Sequence, residues 1–476
     1  MERRLVTFII ITLLFFIFYA HLTRKYLPQT PPPPPSGEVK EEESSKEEII
    51  PLEEEQLEEV STEKFVITFS LTGGYIKKIF IKKYQEELLF KDIGLVFTHR
   101  TLPFQLTQEK EKITLFNREK NIKKEFLFKG YTLTLKVEGE KERSELVLFY
   151  NPLNINRLEQ RYQEFFYQNT SSTLKRFPQK RVPSKTLTSS LFGIRDRYFC
   201  LVYFSGKHSL RISRLKDNSL LCKVSIKNSF SLQAFIGPQH LEELDKYHLE
   251  EIVNYGFFHP IGKVLVKLLS LFALWTKNWG ISIILLSAII YLVLFPFTFR
   301  STQAMRKMQA LQPKIEELKN KYKDNPQKLN KEILELYRAY KVNPLGGCLP
   351  IFFQLPVFIA LYQVLLRVVE LKGAKFLWIK DLSLPDRILS LPFSLPFLGK
   401  YINLLPILIV VIGILQQKIT SQDSLQAKQQ KSVGLFFAVF IGIIFYNFPS
   451  ALVLYWLMQN LFTLFYQWRI SPKETS

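Results

Sequence analysis

Five stretches of this chain run for 17 residues or more without Asp, Glu, Lys or Arg. They lie between Arg4 and Arg24 (19 residues), Lys277 and Arg300 (22), Lys341 and Arg367 (25), Lys400 and Lys418 (17), and Lys431 and Arg469 (37). A helix needs about 20 apolar residues to cross a bilayer core, within a range of about 17–25. Four of the runs suit one crossing each. The fifth is too long for one, and Asn447-Phe448-Pro449-Ser450 breaks it. Split there, it supplies two spans and a very short hairpin, so six spans are expected. The uncharged runs exclude a simple soluble enzyme. An apolar content of 47% excludes disorder over the whole chain, and three cysteines exclude a disulfide scaffold.

The first run follows Met-Glu-Arg-Arg and ends Tyr19-Ala20-His21-Leu22, without a clear Ala-x-Ala site. Residues 1–23 therefore read as an uncleaved signal-anchor. A cleaved signal peptide is the rival, but its apolar stretch would be shorter and end in small residues. Lys and Arg in short loops set the orientation. From Arg300 to Lys341 there are eleven, residues 418–431 hold Lys418, Lys428 and Lys431, and the tail holds Arg469 and Lys473. Six spans with the N-terminus inside put all of these in the cytoplasm. The long segment 24–260 is then outside. The loop 367–400 is also basic on balance, which weakens the signal slightly.

Residues 24–64 read as a linker. Pro31 to Pro35 suit a stiff extended spacer, and residues 38–63 carry twelve Glu, a solvated stretch. Residues 65–255 read as an antiparallel β-sandwich. Tyr131-Thr132-Leu133-Thr134-Leu135-Lys136-Val137 alternates strictly, and Phe230, Leu232, Ala234 and Ile236 alternate with Ser231 and Gln233. Gly73-Gly74 suits a turn into a strand over Tyr75–Ile81. A helix is expected over 239–253, with Leu241, Leu244, His248 and Ile252 on one side. Cys200 and Cys222 fall on strands; a bridge and two buried free thiols both fit. No His/Glu pair or Cys pair has zinc spacing, so no metal, cofactor or catalytic role is expected here.

Residues 261–277 place Lys263, Lys267, Ser270 and Lys277 on one helical stripe among apolar residues. That suits a helix lying in the membrane interface; an additional span is the alternative, at the cost of lysines within it. Residues 301–342 carry two amphipathic repeats. Met305, Met308, Leu311, Ile315, Leu318 and Tyr322 step by three or four. Leu329, Ile333, Leu336, Tyr337 and Tyr340 form the second apolar side. Between them Pro326 suits the first turn of a second helix, capped by Asp324 or Asn325. The expectation is an antiparallel helical hairpin with basic outer faces. It is either a docking arm for something anionic or a loop that merely fixes topology.

The hairpin leads into Lys341-Val342-Asn343-Pro344-Leu345-Gly346-Gly347-Cys348-Leu349-Pro350-Ile351-Phe352-Phe353-Gln354-Leu355-Pro356. Asn-Pro ends a helix, Gly-Gly permits a tight entry into the membrane, and two prolines inside the span bend it. Together with Asn278-Trp279-Gly280, Leu311-Gln312-Pro313-Lys314-Ile315, Leu405-Pro406-Ile407-Leu408 and Phe448-Pro449-Ser450-Ala451-Leu452-Val453-Leu454-Tyr455-Trp456, this closely resembles the YidC/Oxa family of membrane protein insertases. The motifs cover residues 256–470, in order and at the family spacing. The outer domain resembles the Gram-negative type, with Thr72-Gly73-Gly74 near its start.

The resemblance implies an α+β membrane protein of six transmembrane helices: a five-helix insertase core plus the N-terminal signal-anchor. It adds a periplasmic antiparallel β-sandwich domain and a cytoplasmic helical hairpin. The core is then 256–470, with spans 278–299, 343–366, 401–417, 432–447 and 450–468, the interfacial helix 261–277, the hairpin 301–342, and a short cytoplasmic tail 471–476. It further implies a monomeric insertase and chaperone in the bacterial inner membrane, without cofactor, metal or catalytic residue. Such a protein has a groove open to cytoplasm and lipid along which client spans slide. The implied partners are nascent membrane proteins, the Sec translocon with its accessory subunits, and the lipid bilayer. Ribosome contact is expected to be weak, through the basic hairpin and the 418–431 loop, because only seven residues follow Arg469.

Family members usually carry a groove arginine in the middle of the second span. Alignment on Pro296-Phe297-Thr298 puts Tyr291 there, with Ser287 one turn earlier on the same face. No charge occurs from Asn278 through Phe299. A tyrosine hydroxyl still hydrates a groove, but it does not attract an acidic client tail. Gln354, Gln417, Tyr455 and Trp456 are further groove candidates; their ordinary readings are glutamine at a helix end and aromatics in an interface belt. The competing functions are a channel or transporter and an assembly scaffold without insertase activity. Ion-coupled carriers place ionisable residues at membrane depth, and spans two to six have none. Gly-x-Ser-x-Gly, His-Glu-x-x-His and Walker A patterns are also missing from the sequence.

Overall fold

The computed structural model describes residues 55–470, except 155, 157–158, 169–172, 205, 324, 344–348, 396–397 and 421–424. The expected signal-anchor, the polyproline stretch, most of the acidic linker, Asp324, the Pro344–Cys348 part of the signature and the tail lie outside the described residues. The chain divides into two compact units at Val253/Asn254.

The first unit is built on antiparallel sheets. Strands Leu57–Ser61, Phe65–Ser70, Tyr75–Ile81 and Glu86–Glu87 pair in sequence order as a four-stranded sheet. Its first strand begins inside the stretch expected to be linker. Glutamates made that stretch look solvated, yet Val60 is buried, while Glu58 and Glu59 are exposed and put charge on an edge strand. An eleven-stranded sheet has as its spine two long strands, Thr132–Asn151 and Leu220–Pro238, paired antiparallel. Both bend where Asn228 pairs with Glu140: the register shifts on either side of Asn228, and Asn228 and the nearby Gly139 take positive φ (62° and 91°). A side chain at 139 would collide with the Asn121 carbonyl, its Cβ 2.1 Å away. The two sheets meet through aromatic rings. Phe65 lies against Phe128 and Tyr131, and Phe69 against Phe126, at centroid separations of 5.2–5.9 Å.

The alternating segments behave as their pattern dictates. Leu133, Leu135 and Val137 are buried between more exposed neighbours, as is Leu232, whereas the alternation ends at Ala234, where Phe235 and Ile236 are buried as well. Cys200 and Cys222 are buried free thiols at opposite ends of the strand pairing: Cys200 faces Gly237 and Cys222 faces Phe149. Apolar surroundings push both thiols well above the ordinary range, which leaves them inert. The helix expected over 239–253 is a correction. Only α1, Leu241–Asp245, is helical, followed by a 3-10 turn at Glu250–Ile252. His248 takes φ 55° and breaks the repeat, so it is exposed while Leu249 joins Leu244 and Ile252 in the core.

One charged residue occupies this core. Lys124 lies on strand Ile122–Lys129 between Ile122 and Phe126, on the face turned inward. It is completely buried, and its Nζ donates to the carbonyls of Gly73 (2.7 Å), Gly74 (2.9 Å) and Gly94 (3.0 Å). Three donors meet three acceptors. The ammonium thereby fastens the Gly73-Gly74 turn, whose positive φ angles only glycine adopts freely, to the second sheet. Burial nevertheless pushes Lys124 down to about 7, with Glu140 pulling in the opposite direction.

The second unit is helical. In order it contains α2 (His259–Thr276), α3 (Trp279–Ala310), α4 (Gln312–Lys321), α5 (Pro326–Ala339), α6 (Leu349–Leu365), α7 (Leu404–Thr420), α8 (Leu425–Phe445) and α9 (Ser450–Ile470). The stretch Trp279–Met308 is long and apolar enough to cross a membrane; Phe353–Leu365, Leu404–Ile419 and Gly434–Phe445 are apolar but shorter. Helix α2 buries Leu265, Val266, Leu269 and Phe272 and leaves Leu274 and Trp275 exposed. Asn278 caps α3, its side chain accepting from the Ile281 N–H at 3.1 Å. Gly280 is required by a close approach, since a Cβ there would overlap the Phe376 ring. Small residues also bring α7 and α8 together: Gly413 faces Ala438 and Gly442 faces Val410.

The hairpin differs from expectation at its start. Helix α3 continues without a break through 301 to Ala310, carrying Met305 outward. The break comes at Leu311, because Pro313 lies in the first turn of α4 and belongs at a helix start. Asn325 is the cap of α5, accepting from the Lys328 N–H at 3.0 Å. Leu311, Ile315, Ile333 and Val342 form a cluster joined by Met308, Leu318, Leu329, Leu336 and Tyr337. Tyr340 stays exposed instead, under the Lys314 ammonium at 4.5 Å.

Lys124→Met removes the donors from three buried carbonyls. It should lower outer-domain stability by about 3–5 kcal/mol, read as a lower denaturant midpoint in pulse proteolysis of the full chain. Folded Lys124 releases its proton near 7, whereas the unfolded chain holds it to about 10.4. Between those values the unfolded state binds more protons, so stability rises with pH. Asp92 and Asp196, pushed up to about 6 by burial, act in the opposite sense but only below that pH. From pH 7 to 8, below the range where unfolded Cys200 and Cys222 begin to ionise and oppose it, the midpoint should therefore climb in the natural protein and lose that climb in Lys124→Met. Equal slopes in the two would count against a shifted Lys124.

Candidate functional site

Helix α9 carries a row of polar side chains among its aromatic residues. Tyr455, Gln459, Phe462, Thr463 and Tyr466 recur at three- and four-residue spacing, so they share one face. Two contacts join that face to α3. The Gln459 Nε2 donates to the Ser287 carbonyl at 2.8 Å, and the Tyr291 hydroxyl donates to the Phe462 carbonyl at 3.3 Å. The rings of Tyr291 and Phe462 pack at 5.4 Å, and Phe295 meets Tyr466 edge-on at 5.1 Å. Ser287 itself is fully buried, its hydroxyl turned back onto the Ile283 carbonyl at 2.6 Å.

A third contact joins α9 to α6, where the Gln354 Nε2 donates to the Tyr455 hydroxyl. Tyr455 is fully buried. Trp456 packs between Phe358 of α6 and Phe445 of α8, each at 5.3 Å. A fourth joins α9 to α7, where the Gln416 Nε2 donates to the Asn460 carbonyl at 2.8 Å. Gln417 lies instead against Gly434 of α8, whose missing side chain makes room for its amide.

Of the six residues singled out in the sequence, Ser287, Tyr291, Gln354 and Tyr455 thus converge on the α9 face. Trp456 sits one residue round on aromatic neighbours, and Gln417 belongs to the α7–α8 contact. Gln459, Thr463, Asn460 and Gln416 were missed. A signal for Gln459 and Thr463 existed: they extend the spacing of Tyr455 by one and two helical turns.

The opposite end of the unit is held differently. The Asp386 carboxylate caps α7, accepting from the Leu404 and Leu405 N–H groups at 2.8 and 3.0 Å, and also from the Trp378 indole at 3.1 Å. The Asn403 amide donates to the Tyr446 carbonyl at 2.7 Å, and the Tyr446 hydroxyl donates to the Tyr401 carbonyl at 2.9 Å. The first N–H groups of α9, from Ser450 and Ala451, donate to the Leu384 and Leu382 carbonyls at 2.8 and 3.0 Å. Among the described residues no group of three or more His, Cys, Asp or Glu side chains is placed to hold a metal ion.

Residues 271–475 match the model of the 60Kd inner membrane protein family. A protein of Syntrophobacter fumaroxidans named membrane protein insertase YidC is 43% identical over 249 residues. That alignment takes in 51% of this chain and spans less than half, 44%, of the relative's length. A protein of the same name from Citrifermentans bemidjiense is 30% identical over 474 residues, covering 87% of this chain and 84% of that protein. A crystal structure described as an active YidC insertase with its first transmembrane domain resolved aligns at 20% identity and a TM-score of 0.46, covering 87% of this chain and 93% of that one. The second relative matches both units across most of its own length, so the chain belongs to the YidC family of membrane protein insertases.

Proposed function

We propose that this chain inserts membrane proteins into the bacterial inner membrane, along a polar path bordered by α9. The observation that carries the path is the set of hydrogen bonds by which α3, α6 and α7 each reach α9 through amides or hydroxyls. A client's short hydrophilic tail loses its water on crossing a bilayer, at a cost of several kcal/mol for unmatched groups. Amides and hydroxyls that can exchange partners offset part of that cost. The apolar client segment then passes sideways into lipid, and no energy source or cofactor is needed. Ser287, Tyr291, Gln354, Tyr455 and Gln459 are the residues assigned to the path, with Trp456 and Gln417 at its edges.

The same reading gives the chain six spans, its N-terminus and helical hairpin in the cytoplasm, and its β-sandwich in the periplasm. Short basic loops support that orientation. The protein works as a monomer, on nascent membrane proteins, alone or beside the Sec translocon and its accessory subunits. Ribosome contact is weak and goes through the basic faces of α4 and α5.

Photocrosslinking tests the path. A photoreactive residue replaces Tyr291, and another replaces Val293, which is 66% exposed on α3. With a short single-span client, crosslinks should form at 291 and not at 293. Crosslinks at neither position, in a reaction where the client inserts, would remove the α3–α9 seam from the path. Loss of all insertion dependent on this chain, in otherwise active membranes, would remove the insertase reading itself.

Tyr291 tests the electrostatics. The family resemblance places an arginine there, and tyrosine supplies hydration without charge. Tyr291→Arg should favour clients with acidic tails over matched uncharged ones by about fivefold, or about 1 kcal/mol for one hydrated charge pair. Tyr291→Phe should slow both clients equally, by about threefold or less, since a single net hydrogen bond between membrane helices averages about 0.6 kcal/mol. Side-by-side insertion assays of the two clients read both effects.

A further inference from the structure

We infer that the β-hairpin between α6 and α7 is a lipid-interface anchor whose apolar face lies at the headgroup–acyl boundary of the bilayer. The inference rests on reading α3, α6 and α7 as membrane spans. The hairpin pairs Leu389–Leu395 with Gly399–Ile402: Leu389 faces Ile402, Ser390 faces Tyr401 and Leu395 faces Gly399. Alternate residues of a strand point to opposite faces. Leu389, Leu391 and Phe393 alternate along the strand with Ser390, Pro392 and Ser394, across a register shift between Ser390 and Leu395. Leu389 and Phe393 are each 57% exposed, and Ile388 beside them is 48% exposed. A ribbon that alternates leucine and phenylalanine with serine is amphipathic, and its apolar side needs a cover.

Lipid is that cover for three reasons. The first is position. Ile402 is two residues before the start of α7, and the Ile388 N–H closes the ribbon's base onto the Ile402 carbonyl at 2.9 Å. The root of the hairpin is thus fixed where an apolar helix begins. Asp386 and Asn403, which cap α7 and hold the α8–α9 turn, flank that root and keep the ribbon from swinging freely.

The second reason is charge. No Asp, Glu, Lys or Arg occurs from Ile388 to Gly399, whereas Arg387 and Lys400 stand at the base. The Arg387 guanidinium lies over the Tyr401 ring at 4.8 Å. Cations and tyrosine at the root with an apolar body beyond it form the pattern of a segment seated at headgroup level.

The third reason is backbone chemistry. A two-stranded ribbon has two open edges, whose N–H and C=O groups need water or headgroups, so it does not enter the hydrocarbon core. Pro392 removes one of those donors. The boundary layer accepts both the open edges and the apolar face.

Site-directed spin labelling of the full chain in phospholipid vesicles tests this. Phe393→Cys is labelled in a Cys348→Ser background; Cys200 and Cys222 are buried and do not react. Val293→Cys on α3 serves as the lipid reference, and Glu119→Cys in an exposed turn of the outer domain as the water reference. The ratio of oxygen to nickel-chelate accessibility at 393 should be several-fold above that at 119 and below that at 293. A ratio at 393 equal to that at 119, with 293 still in lipid, would overturn the anchor and leave the spans standing. Low accessibility to both reagents at 393 would also overturn it, because a partner protein or a second copy would then cover the face. If 293 itself reads as water, the span reading fails and the anchor with it. Should Phe393→Cys not fold, Leu389→Cys reports from the same strand.

Discussion

A polar atom inside a bilayer has no water to turn to, so it must find its partner within the protein. On the proposed topology that constraint falls on α9. Its Gln459 amide, Tyr455 hydroxyl and two backbone carbonyls meet Ser287 and Tyr291 of α3, Gln354 of α6 and Gln416 of α7. Among the described residues these are separate bonds rather than a continuous ladder. Between membrane helices a hydrogen bond is worth about 0.6 kcal/mol on average. Parting α3 from α9 therefore costs little in hydrogen bonding, provided that the freed groups meet another partner at once. A client backbone or tail is such a partner. The same weakness that makes these contacts poor glue makes them suitable borders for a path through which other chains pass.

Charge is treated in the opposite way in the two units. The sandwich buries an ammonium, and it does so by giving Lys124 three carbonyls at hydrogen-bond distance. The helical unit places no Asp, Glu, Lys, Arg or His along Trp279–Phe299, and its hydroxyls and amides are neutral. A fixed charge that held one client group strongly would slow its release, whereas neutral donors and acceptors exchange partners at similar free energy. On the proposed path, tyrosine at 291 would give up selectivity for acidic tails and gain tolerance of varied ones.

Much of this was legible in the residues, because two periodicities and one absence carry strong physical signals. Alternation placed Leu133, Leu135 and Val137 inside a sheet, and a three-to-four repeat with Asn325-Pro326 placed the hairpin turn. Absence of charge located α3 and α6 to α9. What escaped notice involved single residues. Lys123-Lys124-Glu125 reads as a solvated run, although Lys124 holds the inward phase of Ile122, Phe126 and Phe128; only the phase could have revealed it. Gln459 and Thr463 lie in an aromatic-rich span where an isolated amide looks like a helix-end residue. Leu389–Leu395 carries Pro392, which speaks against a strand because proline breaks sheet ladders, yet a two-stranded ribbon with open edges tolerates it. His248 could not be foreseen to take a left-handed conformation, because any polar residue there satisfies the pattern of a helix.

The two ends of the helical unit differ in how tightly they are tied, and that difference bears on direction. At one end Asp386, Asn403 and the first N–H groups of α9 join the α6–α7 loop to α7, α8 and α9. At the other, the apolar residues of α4 and α5 are used on each other, in a cluster that includes Leu311, Ile315, Ile333 and Val342. The hairpin is carried mainly by the continuity of α3 through Ala310. A tilt of α3 there moves the hairpin with it and costs little packing elsewhere. On the proposed topology, the end that moves easily faces the cytoplasm and the fastened end faces the periplasm. A client arriving from the cytoplasm therefore meets the side that yields and cannot readily part the side beyond it. Its remaining exit is sideways, into lipid. Direction then follows from an asymmetry of hydrogen bonding along the helices, with the partition of the client's apolar segment supplying the driving force.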